Sequence, residues 1–349
     1  MDKQFGKSIR SRNSDCRITS GIFFGELPAV VLENNFIRMT VLAGRGADVV
    51  EFLYKPLDID LVWLSSTGIP STLVSDNDLT DDEAFLKGYP GGWQSIFPNG
   101  GAPSTVKGIK FGQHDEVALL PWKIKVIKDT SDECEVQFAV QTRKTPFKIS
   151  KTFLLKKQHS VCQITEVVEN MSEDEWQVMW GTHFSFGAPF IETNSQIKLP
   201  NGCAVIPHPV AISISGRRVG STEVFTWPLG KSKQGAIVDF SKLPVPGTKS
   251  EMLYVTKLNE GWYEINNLEK KIGARVCWDL DVMPYLWFWQ EFGESATYPW
   301  FGKHYNIGLE PFSSFPTTGL ADAISNGSAL KFKPKEIKTS KMTYEVINL

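Results

Sequence analysis

No stretch of this 349-residue chain approaches the roughly 18 consecutive apolar residues that a membrane-spanning helix requires. The first residues, MDKQFGKSIRSRNSD, are polar and lead into no apolar signal core, so the expectation is a soluble, cytoplasmic protein with no membrane partner. Two matches to the glycosylation sequon, at Asn170 and Asn326, carry little weight without such a signal. An excess of charge is missing as well. With 37 basic against 39 acidic residues, nothing calls for nucleic acid or another polyanion. Cysteine is scarce: five residues, at 16, 134, 162, 203 and 277, with no Cys-x-x-Cys pair. That odd, scattered set predicts reduced thiols rather than a disulfide framework or a zinc site.

The common catalytic signatures are also absent. No two histidines stand four apart as a zinc hydrolase needs, and no strand carries a cluster of metal-binding histidines. The glycine turns AGRG and NGG have neither a phosphate-loop nor a dinucleotide pattern, and there is no Gly-x-Ser-x-Gly. Helical signals are sparse. Only TDDEAFLKG, Thr80 to Gly88, has a capping-box pair (Thr80 with Glu83) and a closing glycine, and one short helix is predicted there.

What is present is a period of two. AVVLENNFIRMTV reads as a hairpin turning at Glu33-Asn34-Asn35, and ADVVEFLY as the next strand. Residues 133–186 give ECEVQFAVQT, FKISKTFLL, SVCQITEVVEN and WQVMWGTHFSF, an antiparallel meander with short polar turns. Further strands are expected at AVIPHPVAISIS, GAIVDF, MLYVTKL, GWYEIN, IGARVCWDL, YLWFWQEF and SALKFKP. With no linker, repeat or low-complexity tract, residues 1–349 read as one large antiparallel sandwich-like domain.

Three ionisable groups stand out against this pattern. In YNIGLEPF, Tyr305, Ile307, Leu309 and Pro311 share one face, and Asn306, Gly308 and Glu310 the other. On WQVMWGTHFSF the alternation sets His183 opposite a largely apolar face, beside Gln177, Met179, Gly181 and Ser185. His114, in FGQHDEVALLPW, sits where a loop enters a strand. Each is also consistent with an ordinary surface or core role. If the faces of His183 and Glu310 line one concavity, an acid and a base oppose each other across it, as proton transfer to sugar oxygens requires. Aromatics make up 12% of the chain, and several tryptophans stand beside polar side chains, as in sugar sites. A glycosidase would instead pair Glu310 with a second carboxylate, for which Asp279, Asp281 and Glu291 are candidates.

GRGADVVEFLYK, GGWQSIFPNGG, GQHDEVALLPW, WGTHFSFGAPF and GLEPFSSFP, in this order over residues 44–316, resemble the aldose 1-epimerase (galactose mutarotase-like) superfamily, in a less characterised branch of mutarotases. The closing ISNGSALKFKPKEIKTSKMTYEV is similar to that family's last strands. The resemblance implies an all-β fold, a β-supersandwich of large antiparallel sheets with few short helices. It implies Glu310 as general base, His183 as general acid and His114 as the second histidine at the ring oxygen or hydroxyls, with no cofactor and no metal.

In that setting Trp93, Trp289 and Trp300 would supply stacking faces, while Arg45, Gln94, Asn99, Asp115 and Gln290 would hold sugar hydroxyls. Two departures stand out. Asp115 follows His114 where the family commonly has glycine, placed either to raise the histidine's pKa or to bind a hydroxyl. The surroundings of His183 read HFSFG rather than the better-known His-x-x-Phe-Asn, so galactose is not implied as substrate. Lys303, His304 and Arg45 together would suit a sugar phosphate. The expectation is an isomerase acting on a small carbohydrate. The alternatives are a non-catalytic carbohydrate-binding protein or a glycosidase- or lyase-related enzyme on the same fold.

Overall fold

The computed structural model describes residues 15–73 and 82–349. Nearly every regular element is a strand, and two antiparallel sheets dominate. The larger runs, edge to edge, through Arg17–Phe24, Leu27–Glu33, Ile37–Leu42, Asp48–Tyr54, Trp93–Ile96, Gly181–Gly187, Tyr305–Phe312, Tyr285–Phe292, Glu251–Thr256, Ala204–Pro207 and Phe225–Thr226. The second runs through Gln196–Lys198, Trp262–Asn267, Ile272–Trp278, Ile337–Asn348, Val161–Asn170, Phe147–Lys156, Glu133–Gln141 and Lys123–Asp129. The hairpin around Asn34 and the meander of residues 133–170 are where the alternation predicts them. Among the described residues, no helix is long and apolar enough to cross a membrane.

The core lies where the inner faces of these sheets meet. Phe184 and Phe186, from the strand that carries His183, pack on Tyr344 of the second sheet with ring centroids 5.9 and 6.2 Å apart. Burying each phenylalanine stabilises the fold by roughly 1.5–3 kcal/mol. The hydroxyl of Tyr263 donates to the Leu309 carbonyl at 3.1 Å, so even the polar end of an inner-face residue links the two layers. Ile307, Leu309, Leu286 and Phe288 point into the same core. The opposite face of these strands is therefore left for other work.

Three expectations need correction. WQVMWGTHFSF is not one strand: Trp176–Val178 pairs with Leu330–Phe332 in a small separate sheet, and Gly181–Gly187 enters the large one. The break comes at Met179 and Trp180, whose N–H groups donate to the Pro98 carbonyl (2.8 Å) and the Ser313 hydroxyl (2.9 Å) instead of to a ladder. AVIPHPVAISIS forms a strand only over Ala204–Pro207. The predicted helix is a single turn, Ala84–Lys87, with Gly88 at its end, and Thr80 lies outside the described residues. A second helix, Leu320–Ser325, had no clear sequence signal.

Candidate active site

Strand register puts one row of side chains across the free face of the large sheet. Gln94 pairs with His183. Gly181 pairs with Phe312 and Ser185 with Gly308, so His183 falls opposite Glu310. Glu310 pairs with Trp287, and the next register sets Tyr254 beside Trp287. Adjacent strands lie about 4.8 Å apart, close enough for neighbouring side chains in such a row to touch. His183 Nε2 lies 3.4 Å from Glu310 Oε1.

These two groups form the floor of a cavity of about 300 Å3. His114 and Tyr89 close over it, and Trp289 and Trp300 form a wall. Gly308 makes room for the carboxylate: a Cβ there would lie 2.4 Å from Glu310 Oε1. Trp287 is held flat against Phe312, with ring centroids 3.6 Å apart, and its indole N–H donates to the Ser314 carbonyl at 2.8 Å.

His114 is fixed from behind. Its Nδ1 accepts from the Gly101 N–H at 3.1 Å, while the His114 backbone N–H donates to the Gly101 carbonyl at 3.1 Å. In a neutral imidazole the proton must then sit on Nε2, so His114 is a donor. Burial, and next the proximity of His183, push its pKa well below the ordinary value. His183 is itself pushed down to about 4 by burial. Glu310 moves the other way, well above the usual carboxylate range, again through burial, and its Oε2 has no protein partner. Both shifts disfavour charge, so the His183–Glu310 pair holds one proton between them and no net charge. Tyr89 completes the group, its hydroxyl 3.4 Å from His183 Nδ1.

The other candidate residues are dispersed. Trp289 lines the cavity. Trp93 points into the core against Phe52, Phe184 and Tyr344. Gln94 shares the His183 face, but its amide donates to the Gly91 carbonyl. Arg45 is buried behind Phe85, donating to that residue's carbonyl at 3.5 Å and paired with Asp48 at 3.5 Å. Asn99 is structural: its amide donates to the Ala102 and Gly112 carbonyls, and its oxygen accepts from Leu320 N–H. Asp115 turns to Lys144 and the Gly112 N–H, so it neither binds in the cavity nor raises the His114 pKa. Gln290 lies on the opposite sheet face, accepting from Arg218. Lys303 is exposed and His304 packs edge-on against Trp63, so they form no basic patch with Arg45.

Sequence reasoning missed Tyr89 and gave Glu291 only a glycosidase role. Tyr89 stands between the helix and the Gly91-Gly92 turn, a place with no strand alternation to flag it. Glu291 does line the cavity. It pairs with Asn306, four residues along the strand from Glu310, which is about 13 Å at a strand's rise per residue. Glycosidase carboxyls stand roughly 5–9.5 Å apart. Asp279 and Asp281 are exposed. Among the described residues, no group of three or more His, Cys, Asp or Glu side chains is placed to hold a metal ion.

A family profile described as "Domain of unknown function (DUF4432)" matches residues 27–209. The chain belongs to the DUF4432 family. No curated protein matches it. Solved structures match this DUF4432 chain over almost its whole length. A "putative aldose 1-epimerase" from Klebsiella pneumoniae superposes with a TM-score of 0.72 at 13% identity, over 95% of this chain and 83% of that one. A galactose mutarotase-like protein from Clostridium acetobutylicum gives 0.66 at 15% identity, over 97% and 100%. A galactose mutarotase related enzyme from Lactobacillus acidophilus gives 0.60 at 13%, over 92% and 97%. This DUF4432 chain therefore has the galactose mutarotase-like fold.

Proposed function

We propose that the protein interconverts the anomers of a free aldose by opening and reclosing the sugar ring. The observation that carries this is the 3.4 Å approach of His183 Nε2 to Glu310 Oε1 on the floor of a cavity of about 300 Å3. When the proton resides on His183, the imidazolium is an acid and Glu310 is a carboxylate base. Glu310 takes the proton of the anomeric hydroxyl while His183 protonates the ring oxygen, and the C1–O5 bond breaks to give the open aldehyde. Rotation about C1–C2 presents the other carbonyl face. On closure, the protonated Glu310 returns its proton to the carbonyl oxygen and His183 takes back the proton of the attacking hydroxyl.

The pair ends as it began, so no proton need come from solvent. General acid and general base catalysis typically contribute about 10²–10⁴-fold each. His114, as an Nε2–H donor, would hold the ring oxygen or a neighbouring hydroxyl without competing for the proton. Tyr89 would set the orientation of the His183 ring. Trp289 and Trp300 offer flat faces to the C–H side of a sugar.

The test is anomer exchange by NMR across a panel of aldoses, with wild type beside Glu310→Gln. Exchange above the spontaneous rate, lost in the variant, is the expected result. Saturable binding without exchange would assign a binding protein to the same site and overturn the catalytic proposal.

A further inference from the structure

Glu291 is held in the cavity wall by hydrogen bonds that all run one way. Its Oε2 accepts from the hydroxyls of Ser250 and Ser295, both at 2.6 Å. Its Oε1 accepts from the N–H groups of Gly293 (3.1 Å) and Ser295 (3.3 Å). A serine hydroxyl has a single proton. With those protons committed to Glu291, Ser250 and Ser295, which also line the cavity, can offer a ligand only lone pairs.

No cation offsets this. Among the described residues, no lysine or arginine lines the cavity. Arg218 donates to Gln290 on the other face of the sheet, and His304, which feels the Glu291 charge, is held below the ordinary histidine pKa by burial. Beside the corner stand Trp289 and Trp300, ring centroids 5.1 Å apart, whose electron-rich faces also favour positive charge. A phosphate or carboxylate brought here would meet oxygen lone pairs and a buried negative charge.

We propose that Ser250, Glu291 and Ser295 form an acceptor-only subsite that selects ligands presenting hydrogen-bond donors, an ammonium above a hydroxyl, and rejects phosphorylated or carboxylated ones. That the ligand is an aldose rests on the proposed function. The preference for donors rests on the corner's own hydrogen bonds.

The test is equilibrium binding by calorimetry of four classes of aldose: neutral, amino-substituted, phosphorylated and uronic acid. Amino aldoses with the ammonium at different carbons would bind up to about tenfold tighter than the neutral parent. The anionic ones would bind on the order of 100-fold weaker. Both differences shrink in Glu291→Gln, and Ser250→Ala, a smaller change, would weaken the neutral and amino ligands selectively. Anions binding as tightly as the neutral parent, or no member binding at all, would overturn the subsite. If the ranking holds while no aldose shows catalysed exchange, the catalytic proposal fails and the subsite stands. If phosphorylated and neutral aldoses are exchanged with equal kcat/KM, the catalysis stands and the subsite fails.

Discussion

Replacing Gly308 by alanine isolates the geometry of the acid/base pair from its chemistry. Gly308 is not in the left-handed region, so alanine is compatible with its backbone. The space is what fails. The new Cβ would lie 2.4 Å from Glu310 Oε1, where ordinary contact begins at 3.4 Å, so the carboxylate must retreat by about 1 Å. That retreat acts directly on the 3.4 Å approach to His183. A displacement of this size typically lowers catalysis by about 100-fold, and the overpacking costs about 1–3 kcal/mol of stability. The assay is anomer exchange at saturating sugar together with thermal unfolding, with Glu310→Gln as reference. A folded Gly308→Ala protein that exchanges anomers at the wild-type rate would refute the requirement for this carboxylate position.

Other consequences are open to measurement. Below the His183 value of about 4 the pair holds two protons and the base is lost, so activity should rise with pH through about 4. An acid limb centred near the ordinary histidine value of 6.5 would mean that His183 is not desolvated during turnover. Tyr89→Phe removes the hydroxyl beside His183 Nδ1 and should lower kcat by about tenfold with little change in KM; equal losses in both would point to substrate contact instead. Trp93→Ala opens the core and should cost about 3–5 kcal/mol, seen as a lower unfolding midpoint. A Trp93→Ala protein of full stability but weakened sugar binding would show that the ring serves the cavity after all.

The sequence carried the faces of the strands well and their neighbours poorly. Alternation alone separated Glu310 and Gly308 from Ile307 and Leu309, and His183 from Phe184 and Phe186. The same alternation, applied more strictly, forbids Trp93 and Gln94, or Trp289 and Gln290, from facing one cavity together. In each pair at most one could belong. Register was not legible, because it depends on pairing between strands far apart in sequence, above all the one that sets His183 opposite Glu310. The roof and one corner of the wall were not legible either: His114, Tyr89 and Ser295 come from turns and loops, where no period reports orientation. Arg45 and Asp115 looked like free ligands because their partners, Asp48 and Lys144, become visible only in three dimensions.

The row Gln94–His183–Glu310–Trp287–Tyr254 also has a meaning for the folding process. Its members come together only when five strands drawn from distant parts of the chain have paired in the right register. A slip of one residue between Gly181–Gly187 and Tyr305–Phe312 would turn a whole strand over. Glu310 would then face the phenylalanine core, and Leu309 the cavity. Pairings of such long sequence separation form slowly, after local hairpins such as that around Asn34. In a refolding experiment, activity should therefore return only with the closure of the middle of the large sheet, and it would serve as a clock for the slowest step of the chain's assembly.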